Sequence, residues 1–101
     1  VAQFDVYANP NPNTNKEIPY LLDVQADILS SLETRVVVPL VIQSKTAKHL
    51  NPVFEVKNKK VVMSTSQIAG VPLSVLGEKV ANLKDKRAEI IAAIDFLITG
   101  F

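Results

Sequence analysis

The chain has 101 residues, six prolines, three glycines and no cysteine, and 48% of it is hydrophobic, which fits one domain spanning 1–101 and excludes disordered, fibrous and disulfide-stapled classes. Folding at this length buries about 65% of the unfolded surface, enough for one core but little enough that a second copy would help. The formal net charge is only +1, which excludes a strongly polyanionic or polycationic protein.

Gln3-Phe4-Asp5-Val6-Tyr7 alternates polar and apolar and predicts a half-buried first strand. Residues 9–16 are dense in asparagine and proline and predict an exposed loop. Tyr20 to Val24 and Arg35 to Ile42 follow as strands, the second nearly continuous in apolar residues and suited to burial on both faces. Pro39 cannot donate a ladder hydrogen bond, so a bulge, a bend or an edge position is expected there. Asn51 to Lys57 and Lys60 to Thr65 flank Asn58-Lys59, read as a tight hairpin turn because asparagine tolerates positive φ. Val71 to Leu76 is a further short strand ended by Gly77.

Beyond it the period changes. Leu83, Ile90, Ile91, Ile94, Leu97 and Ile98 recur at three- and four-residue spacing and predict one apolar helical face, with Asn82 as N-cap, Asp85 in the first turn and Gly100 as terminator. The opposite face carries Ala88, Ala92, Asp95 and Thr99, with Arg87 and Ile91 beside them. Two readings of that stripe stand: alanine chosen for helix propensity, or a surface that lets another protein approach closely.

Charge is uneven along the chain. Residues 1–44 carry two basic and five acidic side chains, and residues 45–60 carry five lysines against Glu55. Five lysines with no arginine and one nearby phenylalanine make a poor base-reading surface, so no direct nucleic-acid binding is expected; the stretch reads as solvated loop and hairpin, with a patch facing an acidic partner as the alternative. The longest apolar run, Val36 to Ile42, is broken by Pro39 and falls far short of the about 20 residues a membrane span requires. With neither a basic-then-apolar leader pattern nor cysteine, a cytoplasmic location is the default expectation.

Catalytic chemistry finds little to work with. His49 is the only histidine and has no serine or acid beside it in sequence. One histidine without cysteine makes a poor zinc set, and no glycine-rich phosphate loop occurs; no cofactor or metal is expected. Asp23 and Asp27, spaced by four, read as turn-forming and capping residues. The residues point to a binding protein and not to an enzyme.

Several blocks resemble the CcdB-type toxins of bacterial toxin-antitoxin modules. They are Gln3-Phe4 with Val6-Tyr7, Leu22-Asp23-Val24-Gln25-Ala26-Asp27-Ile28-Leu29, and Arg35-Val36-Val37-Val38-Pro39-Leu40. The central His49 to Val53, Met63 to Thr65 and Ile68 to Glu78, and the terminal Ile90 to Phe101, continue the likeness in family order. The resemblance implies a mainly β fold with a C-terminal α-helix, an SH3-like small barrel (CcdB/Kid-like) built of an antiparallel sheet plus a minor sheet. It implies a homodimer, formed by Met63, the 68–73 segment and the apolar base of the helix. It also implies binding to the A subunit of DNA gyrase, trapping of the covalent gyrase-DNA cleavage complex, a role in plasmid maintenance, and neutralisation by a cognate antitoxin with a disordered C-terminal segment.

Carried over residue by residue, the gyrase contact comprises Ile28, Leu29, Arg87, Ala88, Ile91, Asp95, Ile98, Thr99, Gly100 and Phe101, which includes the small-residue face already singled out. Lys45 and Lys48 are assigned to the antitoxin. The best-known members end in Trp-Gly-Ile, with the tryptophan against a gyrase arginine, whereas here the end is Thr99-Gly100-Phe101. Threonine offers no cation-π contact, a term of about 0.5–2 kcal/mol; either Phe101 replaces it or affinity is lower. An endoribonuclease toxin of the Kid or MazF kind is the alternative on the same fold, and would draw on Arg35, Arg87 and His49.

Overall fold

The structure, a computed structural model, describes residues 2–29, 31–42 and 50–100. Seven strands, β1 (Asp5–Ala8), β2 (Tyr20–Asp23), β3 (Thr34–Val41), β4 (Val53–Val56), β5 (Lys59–Met63), β6 (Ala69–Pro72) and β7 (Lys79–Asn82), precede one helix, α1 (Arg87–Thr99). All pairings are antiparallel, in the order β4-β5-β3-β2-β1-β7 with β6 added to β3. The sheet curls into a half-barrel with the C-terminal helix, and in place of the separate minor sheet that the resemblance implies, β6 branches from β3 within the one seven-stranded sheet.

β3 is the shared strand. On one side Val37 to Leu40 pair with β2; on the other, Thr34 to Val37 pair with β6 and Leu40 and Val41 with β5. Pro39 sits where the second side changes partner. The Val24 amide bonds the Val36 carbonyl, so even-numbered β3 residues turn their backbone groups toward β2 and Pro39 faces the other way. There its carbonyl accepts from Ser64 N at 2.9 Å, and the missing donor falls between the ends of β5 and β6. The register with β2 is therefore unbroken, and the expected bulge or edge position does not occur.

Other boundaries differ from the sequence reading for local reasons. The hairpin turn is Lys57-Asn58, one residue earlier than expected, and both residues take positive φ, 49° and 66°, as a two-residue type I′ turn requires. The strand expected over Val71 to Leu76 ends at Pro72. Leu73 N makes a last bond to Glu33 O, and the chain then tightens into a 3-10 turn at Leu73–Val75. β7 lies in what reads as the approach to the helix. Asn82 does not cap α1: it ends β7, its Oδ1 accepts from Lys84 N at 2.8 Å, and Leu83 holds the N-cap position of the 3-10 turn Lys84–Lys86 that follows. α1 starts only at Arg87, with Glu89 rather than Asp85 in its first turn. Gly100 ends it at φ 79°, its amide bonding Phe96 O, as a left-handed helix end favours.

Side chains at every second position fill the core. Val6, Leu22, Val38, Leu40, Val61 and Met63 form one buried cluster with Phe4, Phe54, Val56 and, from the helix, Ile90 and Ala93. Ile91 and Ile94 pack against it. Ile98, expected on the apolar face, is 74% exposed. Met63 is fully buried within its own chain, so it cannot supply the dimer surface for which it was singled out, whereas Ala69, Gly70, Pro72 and Leu73 are exposed.

Residues 73–78 carry the chain from β6, beside β3, to β7, on the far side of β1. The return is held by Gly77 N to Ala8 O at 2.9 Å and Ala8 N to Glu78 O at 2.8 Å. A Cβ at Gly77 would lie 2.5 Å from the Ala8 carbonyl oxygen. Gly77→Ala is expected to cost about 1–3 kcal/mol, the range for overpacking a close contact. Denaturant unfolding measures it; a midpoint equal to that of the parent protein would refute the close approach.

Candidate functional site

The 3-10 turn Asp27–Leu29 follows β2 and is tied down by its backbone. Asp27 Oδ1 accepts from Gln3 N at 2.7 Å, Gln25 Nε2 donates to Leu29 O at 2.9 Å, and Leu29 N bonds Ala26 O. Asp27 thus ties the turn to the N-terminal segment, 24 residues away, in place of the local capping role read for it. Held in this way, the turn leaves Ile28 90%, Leu29 46% and nearby Leu32 47% exposed. Burying one such side chain is worth about 1.5–3 kcal/mol, so their exposure together on a pinned turn makes this a candidate contact patch.

On α1, Arg87, Ala88, Ala92, Asp95, Ile98, Thr99 and Gly100 are exposed, and Ile91 is half-buried, shared between the core and this face. The Thr99 hydroxyl donates back to Asp95 O at 2.7 Å, which turns the polar end of the side chain onto its own helix. The Arg87 guanidinium lies 5.9 Å from the Phe4 ring centre. A cleft of about 810 Å³ lined by Gln3, Asp27, Lys84, Asp85 and Arg87, among others, brings the 27–29 turn and the start of α1 onto one concave surface. Ile98, Thr99 and Gly100 stand at the other end of the helix, about 18 Å along its axis from Arg87. Within one chain the expected contact set therefore falls into two apolar patches joined by the small-residue face. Phe101, Lys45, Lys48 and His49 lie outside the described residues.

Sequence reasoning missed one charged constellation. Asp23, read as a turn former, is completely buried and accepts two hydrogen bonds from Arg35, from Nε at 2.7 Å and from Nη2 at 2.9 Å. Hydrogen bonding to Asp23 outweighs burial and raises the Arg35 pKa further above its ordinary value. Arg35 is 1% exposed, so it is closed to a surface-bound RNA phosphate, which removes one of the groups an endoribonuclease would use. The signal was an arginine opening the otherwise apolar run of β3.

A second polar knot holds the N-terminal residues to β7. Asp5 accepts from Asn82 Nδ2 at 2.9 Å, Ala2 N at 2.9 Å and the Tyr7 hydroxyl at 2.9 Å, and Lys79 Nζ lies 3.2 Å away. Burial pushes the Asp5 carboxyl up, but these four donors together hold it below its ordinary 3.8. Burial, and then the bond to Asp5, push Tyr7 up to about 12. Among the described residues no three acids or histidines gather as a metal-binding group, and no helix is long and apolar enough to cross a membrane. The site offers apolar side chains and shape for binding.

The fold is similar to that of a solved Mtb toxin, with a TM-score of 0.71 over 88% of this chain and 94% of that one, at 15% sequence identity. The two share a small antiparallel toxin fold. The model of the family described as CcdB protein matches residues 3–100, and the chain belongs to that family. Membership places it among the toxins of toxin-antitoxin modules.

The knot at Asp5 makes stability depend on pH. A carboxyl held below 3.8 in the fold stabilises above the unfolded value, and that contribution is lost as pH falls through the folded one. Asp5→Asn is expected to cost about 1–3 kcal/mol at pH 7, and its deficit against the parent should shrink below about pH 4. Thermal unfolding from pH 7 to 3 measures both; a deficit constant with pH would remove Asp5 from the linkage.

Proposed function

We propose that the chain, as a homodimer, poisons DNA gyrase by binding its A subunit through Ile28, Leu29 and the α1 face of Arg87, Ala88, Ile91, Asp95, Ile98, Thr99 and Gly100, continued by Phe101. The observation that carries this reading is the pairing of strong apolar exposure at Ile28 and Ile98 with a helix face of small side chains between exposed Arg87 and Thr99. The toxin performs no chemistry of its own. It binds the covalent gyrase-DNA cleavage complex better than the other states of the cycle, and differential affinity alone is enough to make that state accumulate. The target and the role in plasmid maintenance place its action in the cytoplasm.

Ile28→Asp and Ile98→Asp test the reading because neither side chain contributes to the core. Each should leave stability within about 0.5 kcal/mol of the parent, while the double variant loses growth inhibition and no longer accumulates cleaved DNA with purified gyrase. Continued trapping of cleaved DNA by the folded double variant would refute the contact.

Neutralisation follows from the other charged region. Lys57, Lys59 and Lys60 stand exposed on the β4–β5 hairpin, and together with Lys45 and Lys48 they form a basic stretch suited to steering an acidic, disordered antitoxin segment. Changing Lys45 and Lys48 to glutamate should slow association with the cognate antitoxin at low salt more than it speeds dissociation. An unchanged association rate in stopped-flow measurements would take both lysines out of the antitoxin site.

A further inference from the structure

Buried hydrogen bonds run without interruption from the middle of the sheet to the exposed turn. Arg35 holds Asp23 through two bonds, Asp23 Oδ1 accepts from Gln25 N at 3.0 Å, and Arg35 Nη2 also reaches Gln25 O at 3.4 Å. The Gln25 side chain, 5% exposed, then spans two elements, accepting from Val36 N at 3.0 Å and donating to Leu29 O at 2.9 Å. One ion pair therefore sets the backbone of Gln25, and one amide group ties that residue both to β3 and to the end of the 27–29 turn.

We propose that Asp23, Arg35 and Gln25 are positioning residues that lock the 27–29 turn, so that Ile28 and Leu29 meet the target already ordered. Stability alone is a poor reason for this arrangement. A buried ion pair is often matched or bettered by apolar residues of similar volume, and among the described residues Arg35 Nη1 is buried without a hydrogen-bond partner. What the charges supply is direction: a bidentate fork admits one geometry for Asp23, and Gln25 transmits it to a turn with no buried residue of its own. Ordering before contact removes the entropy that a loose turn would lose on binding.

The consequence for affinity rests on the gyrase reading, so the experiment has one arm independent of it. In the parent protein the Gln25 side-chain amide protons should exchange slowly with solvent by NMR; exchange at the rate of a free amide would overturn the proposal. Gln25→Met, which keeps size and removes both bonds, should speed exchange at the Leu29 and Leu32 amides at least about ten-fold relative to the Ile90 to Ile94 amides of α1. A change shared equally by turn and helix would mean general destabilisation and would also overturn it. Asp23→Leu with Arg35→Met, which removes both charges together, should give the same turn-selective effect. In the second arm, Gln25→Met should weaken binding to the gyrase A subunit about ten-fold, the effect of one hydrogen bond's net contribution. Unchanged affinity despite a loosened turn would overturn the role in recognition, and failure of the parent protein to bind would overturn the gyrase reading while leaving the lock to the exchange data.

Discussion

β3 must hydrogen-bond to three strands at once, and the rest of the molecule is arranged around that constraint. A strand has only two edges, so its second edge is divided between β6 and β5, with Pro39 at the division. A proline in a central strand is ordinarily disruptive because it lacks a donor. Here the absent donor coincides with the place where no partner strand is available to receive it. From the divided edge β6 leads out along 73–78 and returns as β7 beside β1, so the half-barrel and the placement of α1 both follow from the way β3 distributes its bonds.

The same strand carries the only charged residue in its buried run. Arg35 pairs along the backbone with Val71 of β6, and its side chain reaches diagonally to Asp23 at the end of β2. This pair stands at the boundary between a core that excludes water and a turn that meets it. The core is built from residues whose burial favours folding, whereas Ile28 and Ile98 are apolar residues left exposed. On the proposed reading, binding a target recovers that unfavourable exposure, and the pinned turn meets the target already ordered.

The likeness to the Mtb toxin at 15% identity is understandable in these terms. What the fold requires is a period-two pattern of apolar residues, a short hairpin and a helix with one buried stripe, and many side chains satisfy each requirement. Contact surfaces are less tolerant, because affinity is concentrated in a few well-placed side chains. On the proposed contact surface, Thr99 in place of the tryptophan that the family resemblance leads one to expect is a change of that second kind. It leaves the helix end intact, with Gly100 still closing it.

Local pattern was legible from the amino-acid order. Alternation located β1, a nearly continuous apolar run located β3, a turn signal located the β4–β5 hairpin, the change of period located α1, the asparagine-rich loop was placed correctly, and Gly100 marked the helix end. The exposed stripe at Ala88, Ala92, Asp95 and Thr99 was legible for the same reason, since helical spacing reports which residues share a face. What spacing could not report was pairing between distant segments. Asp23 and Arg35 are twelve residues apart, and only the β2–β3 register brings them together. Asn82 reads as a cap for α1 until the β1 ladder claims it for β7. Ile98 belongs by periodicity to the apolar face and is nevertheless exposed in the fold. Met63 looks like any surface-capable methionine until β5 turns it into the core. In each case the amino-acid order set the side-chain period, and the tertiary structure alone decided which neighbour lay opposite, because burial and ion pairing are properties of two surfaces and a linear pattern describes only one.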